Sequence, residues 1–379
     1  MSKMDAVLQN AVAAGDVPFA VAMAADASGV TYSGAAGEAA PGRAAAEDTA
    51  FRIFSMTKAV GSVAAMILID RGKMSMDTPV ADILPAWNDL QVLEGWDGDT
   101  PRLRAPKTTA TLRHLATHTS GLEYEFWNAD MAKYLEVTGA APILSGLHAG
   151  LMNPLMSDPG TRWGYGPGID WLGQVVEAVD GRRIDAFCQE EIFDPLGMSD
   201  TAFEPGALAA RLAQVSIRGE DGTFAPFDIA PPPEPEVYGM GHALYSTAPD
   251  YLTFIRMVLN RGALDGARIL SEEAWTLMTA DQMQGLTFRT MVSEAPPLTA
   301  DVELPAGTTH SFAFVRFEDD IAEARRAGTL SWAGVCNTHY WIDPATGVAA
   351  VIMTQSLPFA EERFAQTYLA YEKAVYASL

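Results

Sequence analysis

The chain has 379 residues, 49% of them hydrophobic and 19% charged, which is enough to bury a large core as two domains or as one core with a large insertion. Its formal net charge of −23 sets it against nucleic acid and anionic membrane surfaces, both of which would repel it. Two distant cysteines, Cys188 and Cys336, make neither a disulfide framework nor a metal knuckle; Met1 to Asp16 carries no basic-then-apolar leader and no apolar run reaches spanning length, so the expectation is a cytoplasmic protein.

In chain order, Met4 to Ala14 has a short helical period closed by Gly15-Asp16, and Val17–Ala25 and Val30–Gly37 read as strands joined by the turn Asp26-Ala27-Ser28-Gly29. The run Phe51-Arg52-Ile53-Phe54 leads into Ser55-Met56-Thr57-Lys58. From there Val60, Val63, Ala64, Ile67 and Leu68 recur at helical steps until Arg71-Gly72. Thr111 to Leu122 predicts a short helix closed by Gly121. A glycine-rich loop, Arg162 to Gly168, precedes a helix over Ile169–Val179, and another helix spans roughly Ile184–Phe193. Pro231 to Pro235 reads as a connector. Helices follow from Ser246 to Asn260 and from Ser271, then strands over Ser311–Phe317, Thr329–Val335, His339–Ile342 and Val348–Thr354, and a last helix over Ala360–Tyr376. Strands at both ends with helices between predict an α/β (α+β) protein. Residues 1–76 and 236–379 would form an antiparallel sheet flanked by helices, 77–235 a mainly helical lobe, and a site would lie in the seam.

Ser55 is the only serine followed three residues later by a lysine. Residues three apart share a helical face, so Ser55 and Lys58 would project together from the first turn. A serine hydroxyl needs a neighbouring base to attack a carbonyl, and a desolvated lysine can supply one. His114 and His118 are four apart, but no acidic residue follows the H-E-x-x-H pattern and no third ligand is apparent, so the expectation is core or capping histidines, no metal and no cofactor.

Five stretches in order resemble the serine β-lactamase and penicillin-binding-protein superfamily, in its class C-like branch. They are Ser55-Met56-Thr57-Lys58, Thr111 to Leu122, Pro159 to Tyr165, Gly239 to Ala248, and Ser331-Trp332-Ala333-Gly334-Val335. The resemblance implies Ser55 as acylated nucleophile, Lys58 as its base, Tyr165 as proton relay, and the backbone amides of Ser55 and Val335 as oxyanion hole. Pocket residues are expected from Tyr124, Phe126 and Trp127, from Tyr238 and His242, and from Trp332 and Gly334.

Two departures point away from β-lactams. Pro167 stands where the Y-x-N element has asparagine, and Trp332 stands where a lysine or histidine opens the third motif, so no cation there reads a substrate carboxylate. That pattern is similar to family VIII carboxylesterases, and the chain lacks the G-x-S-x-G elbow of α/β-hydrolases. The implied activity is hydrolysis of small or medium uncharged esters through an acyl-enzyme. The partner is then a small-molecule ester, with amide hydrolysis, acyl transfer to an acceptor and a non-catalytic binding relative as the alternatives.

Overall fold

A computed structural model describes residues 2–379. Its centre is one antiparallel sheet to which both ends of the chain contribute. In chain order its strands are β1 (Phe19–Asp26), β2 (Val30–Ala40), β3 (Arg43–Ala44), β4 (Thr308–His310), β5 (Val315–Phe317), β6 (Thr329–Gly334), β7 (Thr338–Asp343) and β8 (Val348–Met353). They lie side by side as β4-β5-β6-β7-β8-β1-β2-β3. The early hairpin therefore docks on the last strand of the sheet, with Val21 opposite Met353 and Asp26 opposite Val348.

Alternation along β8 shows how the sheet is covered on both faces. Val348, Ala350 and Ile352 pack with Trp341 against α1 (Lys3–Ala13) and against the C-terminal helix, Glu362–Tyr376, through Leu8, Phe364, Tyr371 and Val375. Ala349, Val351 and Met353 point the other way, into the main core with α2 (Thr57–Asp70) and the helix Ala248–Leu259. Helix α2 is buried over nearly its whole length because residues between it and the sheet's second half wrap it, chiefly α3 (Gly168–Asp180). The Cβ-free contacts of α3's first residues fit it closely against Leu115.

The structure departs from the sequence reading in several places. The helix expected over Thr111 to Gly121 is only Leu112–Ala116; Thr117 leaves helical geometry and His118 takes a left-handed φ of 57°. Ile184–Cys188 is α-helical, but Gln189–Phe193 widens into a π turn. Of Ser311–Phe317 only Val315–Phe317 is strand. Ser311 turns the chain, its hydroxyl accepting from Phe314 N–H, and Thr308–His310 forms the partner strand. Ser216–Arg218, within the stretch expected to be helical, pairs in parallel with Ser356–Leu357 and so joins the sheet side. A long strap, residues 281–307, crosses the front with little regular structure. It is pinned to the helical side by Glu294 N–H on Phe126 O and to the sheet side by Phe359 N–H on Leu298 O.

Candidate active site

Ser55 stands on a single 3₁₀ turn, Phe54–Met56, directly before α2. Phe54 enters that turn with φ +41°, a left-handed conformation that a phenylalanine holds only when its surroundings enforce it. They do so at several points. Ile53 N–H donates to Leu244 O, the Tyr251 hydroxyl donates to Met56 O, and Leu244 N–H donates to the Thr57 hydroxyl. The nucleophile's turn is thus clamped by the Gly239 to Ala248 segment and by the helix that follows it.

Lys58, one turn on, is 2% exposed. Its Nζ lies 3.1 Å from Ser55 Oγ, 3.0 Å from Tyr124 Oη and 2.7 Å from Gly241 O. Three partners match the three donors of an ammonium; a neutral amine keeps two of them and directs its lone pair at Ser55. The nitrogen also sits 4.9 Å from the Tyr165 ring centre and 5.1 Å from that of Tyr124. Tyr165 comes from the glycine-rich loop before α3, and its hydroxyl donates to Ser55 Oγ at 2.7 Å. Trp332 Nε1 in turn donates to Tyr165 Oη at 3.3 Å. Ser55 Oγ is therefore held between a buried amine and a phenol, an arrangement able to remove a proton on one side and deliver one on the other.

The end of β6 meets this turn at van der Waals limit. A Cβ on Gly334 would lie 2.2 Å from Ile53 O, so only glycine lets the strand come so near. Val335, the next residue, lines the same cavity as Ser55. That cavity, of about 330 Å³, also takes in Tyr124, Phe126, Trp127, His242 and Trp332. Two expected pocket residues do not line it. Tyr238 turns away, its hydroxyl donating to Glu204 at 2.9 Å and its ring packing on Phe203, and Gly334 contributes closeness rather than surface.

The two histidines of the Thr111 to Leu122 stretch have separate tasks. His114 Nδ1 accepts from Thr111 N–H and caps the short helix. His118 sits edge-on to Tyr165 at 4.9 Å and stacks on Trp332 at 6.3 Å. Burial, then the neighbouring His310 and Lys58, hold His118 well below the usual histidine range, and burial draws His310 down to about 4. Both rings are thus neutral near pH 7 and form an uncharged aromatic wall behind Tyr165. Tyr124 is pushed well above the ordinary tyrosine value by burial and by the negative charge of Asp170, so it offers Lys58 a neutral hydroxyl.

Asp170 is the functional neighbour that the sequence reading missed. It is fully buried in the first turn of α3, its Oδ1 accepts from Gly241 N–H at 3.1 Å and lies 3.3 Å from His242 Nδ1, and its Oδ2 has no partner among the described residues. A Cβ on Gly241 would come within 2.4 Å of that Oδ2. The Gly239-Met240-Gly241-His242 segment is thus wrapped on a carboxylate, and the carbonyl it presents on its other side is the one that holds Lys58. The available signal was a charged residue inside the apolar run Ile169-Asp170-Trp171-Leu172.

Comparison with known proteins gives an independent view. A family model described as Beta-lactamase matches residues 4–374. The chain is 29% identical to monacolin J acid methylbutanoyltransferase of Aspergillus terreus, over 99% of this chain and 95% of that protein. It is 32% identical to Protein Rv1367c of Mycobacterium tuberculosis, over 82% and 78%, and 33% identical to lovastatin esterase of Penicillium rubens, over 69% of each. Among solved structures, unliganded simvastatin synthase from Aspergillus terreus superposes with a TM-score of 0.85 at 27% identity, covering 99% of this chain and 97% of that one. EstCE1, a hydrolase with promiscuous acyltransferase activity, gives 0.78 at 23% identity over 99% and 97%, a likeness of fold alone.

Proposed function

Because the chain belongs to the β-lactamase family, in the branch of the serine β-lactamase and penicillin-binding-protein superfamily that holds simvastatin-synthase-like esterases and acyltransferases, we propose that it is a carboxylesterase. It would cleave small to medium uncharged esters through an acyl-enzyme on Ser55. The observation that carries this reading is Ser55 Oγ, shared between Lys58 Nζ and Tyr165 Oη at 3.1 and 2.7 Å beside an apolar cavity.

In the first half-reaction Lys58 takes the Ser55 proton as Oγ bonds to the ester carbon. The carbonyl oxygen becomes an oxyanion facing the amides of Ser55 and Val335, and when the C–O bond breaks Tyr165 returns a proton to the departing alkoxide. In the second, the Tyr165 phenolate takes a proton from the attacking water as its oxygen bonds to the acyl carbon, and when the bond to Oγ breaks Lys58 returns its proton to Ser55, releasing the acid. Trp332 favours neutral substrates, since a carboxylate placed against it and the uncharged His118 and His310 would lose its water without gaining a partner, at a cost of several kcal/mol. An alcohol in place of water would make the same intermediate an acyl donor. The relatives named as a methylbutanoyltransferase and as an esterase give that second outcome its weight.

Intact mass after brief exposure to p-nitrophenyl butyrate, and separately to a cephalosporin, tests the reading. An acyl adduct from the ester, absent in Ser55→Ala, is expected; comparable kcat/KM for the two substrates would refute it. Adding a primary alcohol and measuring transester against acid separates transfer from hydrolysis. No helix among the described residues is long and apolar enough to cross a membrane.

A further inference from the structure

The cavity that opens at Ser55 does not end there. Cross-strand partners share a face of a sheet, so the register of β5, β6 and β7 shows where each side chain of β6 points. Trp332 is opposite Tyr340 and faces Tyr165. Ser331 and Ala333 are opposite Trp341 and His339 and face the other way, towards the C-terminal helix, where Tyr368 lies 5.0 Å from the His339 ring. That helix packs directly over β7, β8 and β1 through Trp341, Ile352 and Ala22, while on the same face Val315, Phe317 and Ser331 of β5 and β6 and Tyr368 and Leu369 of the helix stand on opposite sides of the cavity. On its other side β6 is paired by β5 only as far as Ser331, opposite Val315; from Trp332 to Gly334 this edge is open.

The cavity turns around that open edge. It takes in Ser55 and Tyr165 at one end, and Phe317, Ile321, Tyr368 and Leu369 at the other, with the strap's Leu298 and Val302 as its roof. Its far floor is closed by Arg325, whose Nε donates to Glu372 at 2.5 Å and whose guanidinium is bonded to the Tyr368 hydroxyl. Arg325 is 3% exposed and Glu372 1%, so the pair is internally neutralised and presents little free charge to an occupant.

Resting on the esterase reading above, we propose that this second compartment receives the acyl chain of the substrate, and that the preferred donors are linear medium-chain acyl esters rather than acetyl or propionyl esters. The geometry separates the two branches of the ester. The leaving-group oxygen has to end at Tyr165 Oη, on the Trp332 face of β6, whereas the compartment lies on the opposite face and is reached past Ala333 and Val335. The branch that can enter is the one on the acyl carbon. Roofing by the strap keeps it dry, and the Arg325–Glu372 floor stops a longer chain.

Chain-length profiles test this. In the p-nitrophenyl series from acetate through butyrate and hexanoate to octanoate, kcat/KM should rise by up to about fourfold per methylene, the value of burying one methylene. A matched series of alkyl acetates, varying the alcohol, should stay flat. Leu369→Trp alters an outer-wall residue that is 49% exposed, and Ile321→Trp narrows the same end; each should lower the octanoate-to-acetate ratio of kcat/KM at least tenfold. A parent profile that falls from acetate to octanoate overturns the proposal, as does a ratio untouched by both variants. A rise confined to the alkyl acetates assigns the compartment to the leaving group and overturns it equally. Absence of any Ser55 adduct from acetate and octanoate alike would instead remove the esterase reading.

Discussion

Tyr124→Phe is the substitution whose effect the site defines most closely. The hydroxyl touches Lys58 Nζ at 3.0 Å, and that nitrogen has two other partners, Ser55 Oγ and Gly241 O. While Lys58 is a neutral amine, losing the phenol leaves an uncharged N–H without an acceptor, worth about 1 kcal/mol. Once it carries the Ser55 proton the orphaned donor belongs to a buried ammonium, worth about 1.5–3 kcal/mol. The difference, about 0.5–2 kcal/mol, falls on the acylation barrier and amounts to roughly a two- to thirtyfold slower step at 1.4 kcal/mol per decade. The ring remains, so KM should hardly move. Stopped-flow release of p-nitrophenolate reads acylation as the burst rate and deacylation as the steady state. Because burial keeps Tyr124 neutral far above the ordinary tyrosine value, the defect should be the same at every pH up to about 9. A burst within twofold of the parent, or a loss expressed wholly in KM, would show that Tyr124 does not support Lys58.

Gly334→Ala should displace β6, since the new methyl would meet a backbone carbonyl, Ile53 O, at 2.2 Å and not a side chain that can yield; about 1–3 kcal/mol of stability and about a hundredfold of kcat are the expected losses, read by urea unfolding and ester turnover. An alanine variant with parental kcat would mean that the strand's approach to Ser55 is dispensable. Asp170→Ala leaves Gly241 N–H buried and unpaired, costing about 1–3 kcal/mol, whereas Asp170→Asn keeps an acceptor and should regain most of it; equal urea midpoints for the two would contradict the wrapped-loop account. Acid should unfold the protein early. Burial draws His310 down to about 4 and His339 to about 3, against roughly 6.5 in the unfolded chain, so below about pH 6.5 the unfolded state takes up protons that the folded state refuses. Stability is therefore full above that pH, falls as the pH drops towards the folded values, and then levels; His310 alone accounts for about 3 kcal/mol. His339→Phe, set among Phe359, Phe364 and Tyr368, should flatten the fall between about pH 6 and about pH 4, and an unchanged slope in urea midpoints would discount the assignment.

How much of this was legible in the sequence depended on whether the signal was local. Alternation and turn residues mark β1, β2, β7 and β8 because each strand is half of a two-faced covering. The strand-to-helix junction at Ser55 is likewise visible, and Lys58 lies where helical spacing puts it. The left-handed Phe54 is not visible, since it is imposed by contacts from residues 244 and 251. For the same reason the helix after Thr111 stops early: His118 leaves helical geometry to place its ring against Tyr165, a tertiary gain that overrides a regular local pattern. Among the aromatic residues nothing local separates Tyr124, which reaches Lys58, from Tyr238, which finds Glu204 instead. Ser216–Arg218 went unread as strand because its partner, Ser356–Leu357, lies far along the chain.

The docking of β1 on β8 also sets an order of events during synthesis. Ser55, Lys58 and their helix leave the ribosome early, but the sheet edge that approaches Ser55, the strand β8 beside β1 and the helix that covers Trp341 all come from the last sixth of the chain. At roughly 5–20 residues per second the early hairpin waits about 15–60 seconds for its neighbour, with one edge of β1 unpaired, Ala20, Ala22 and Ala24 covered by α1 but not yet by the C-terminal helix, and Val21 and Met23 bare on the other face until the helix Ala248–Leu259 arrives. Non-local pairing of this kind is slow to form and open to wrong partners while it waits. The charge of −23 then acts on nascent chains as well as on finished ones, by keeping two such unfinished hairpins from meeting.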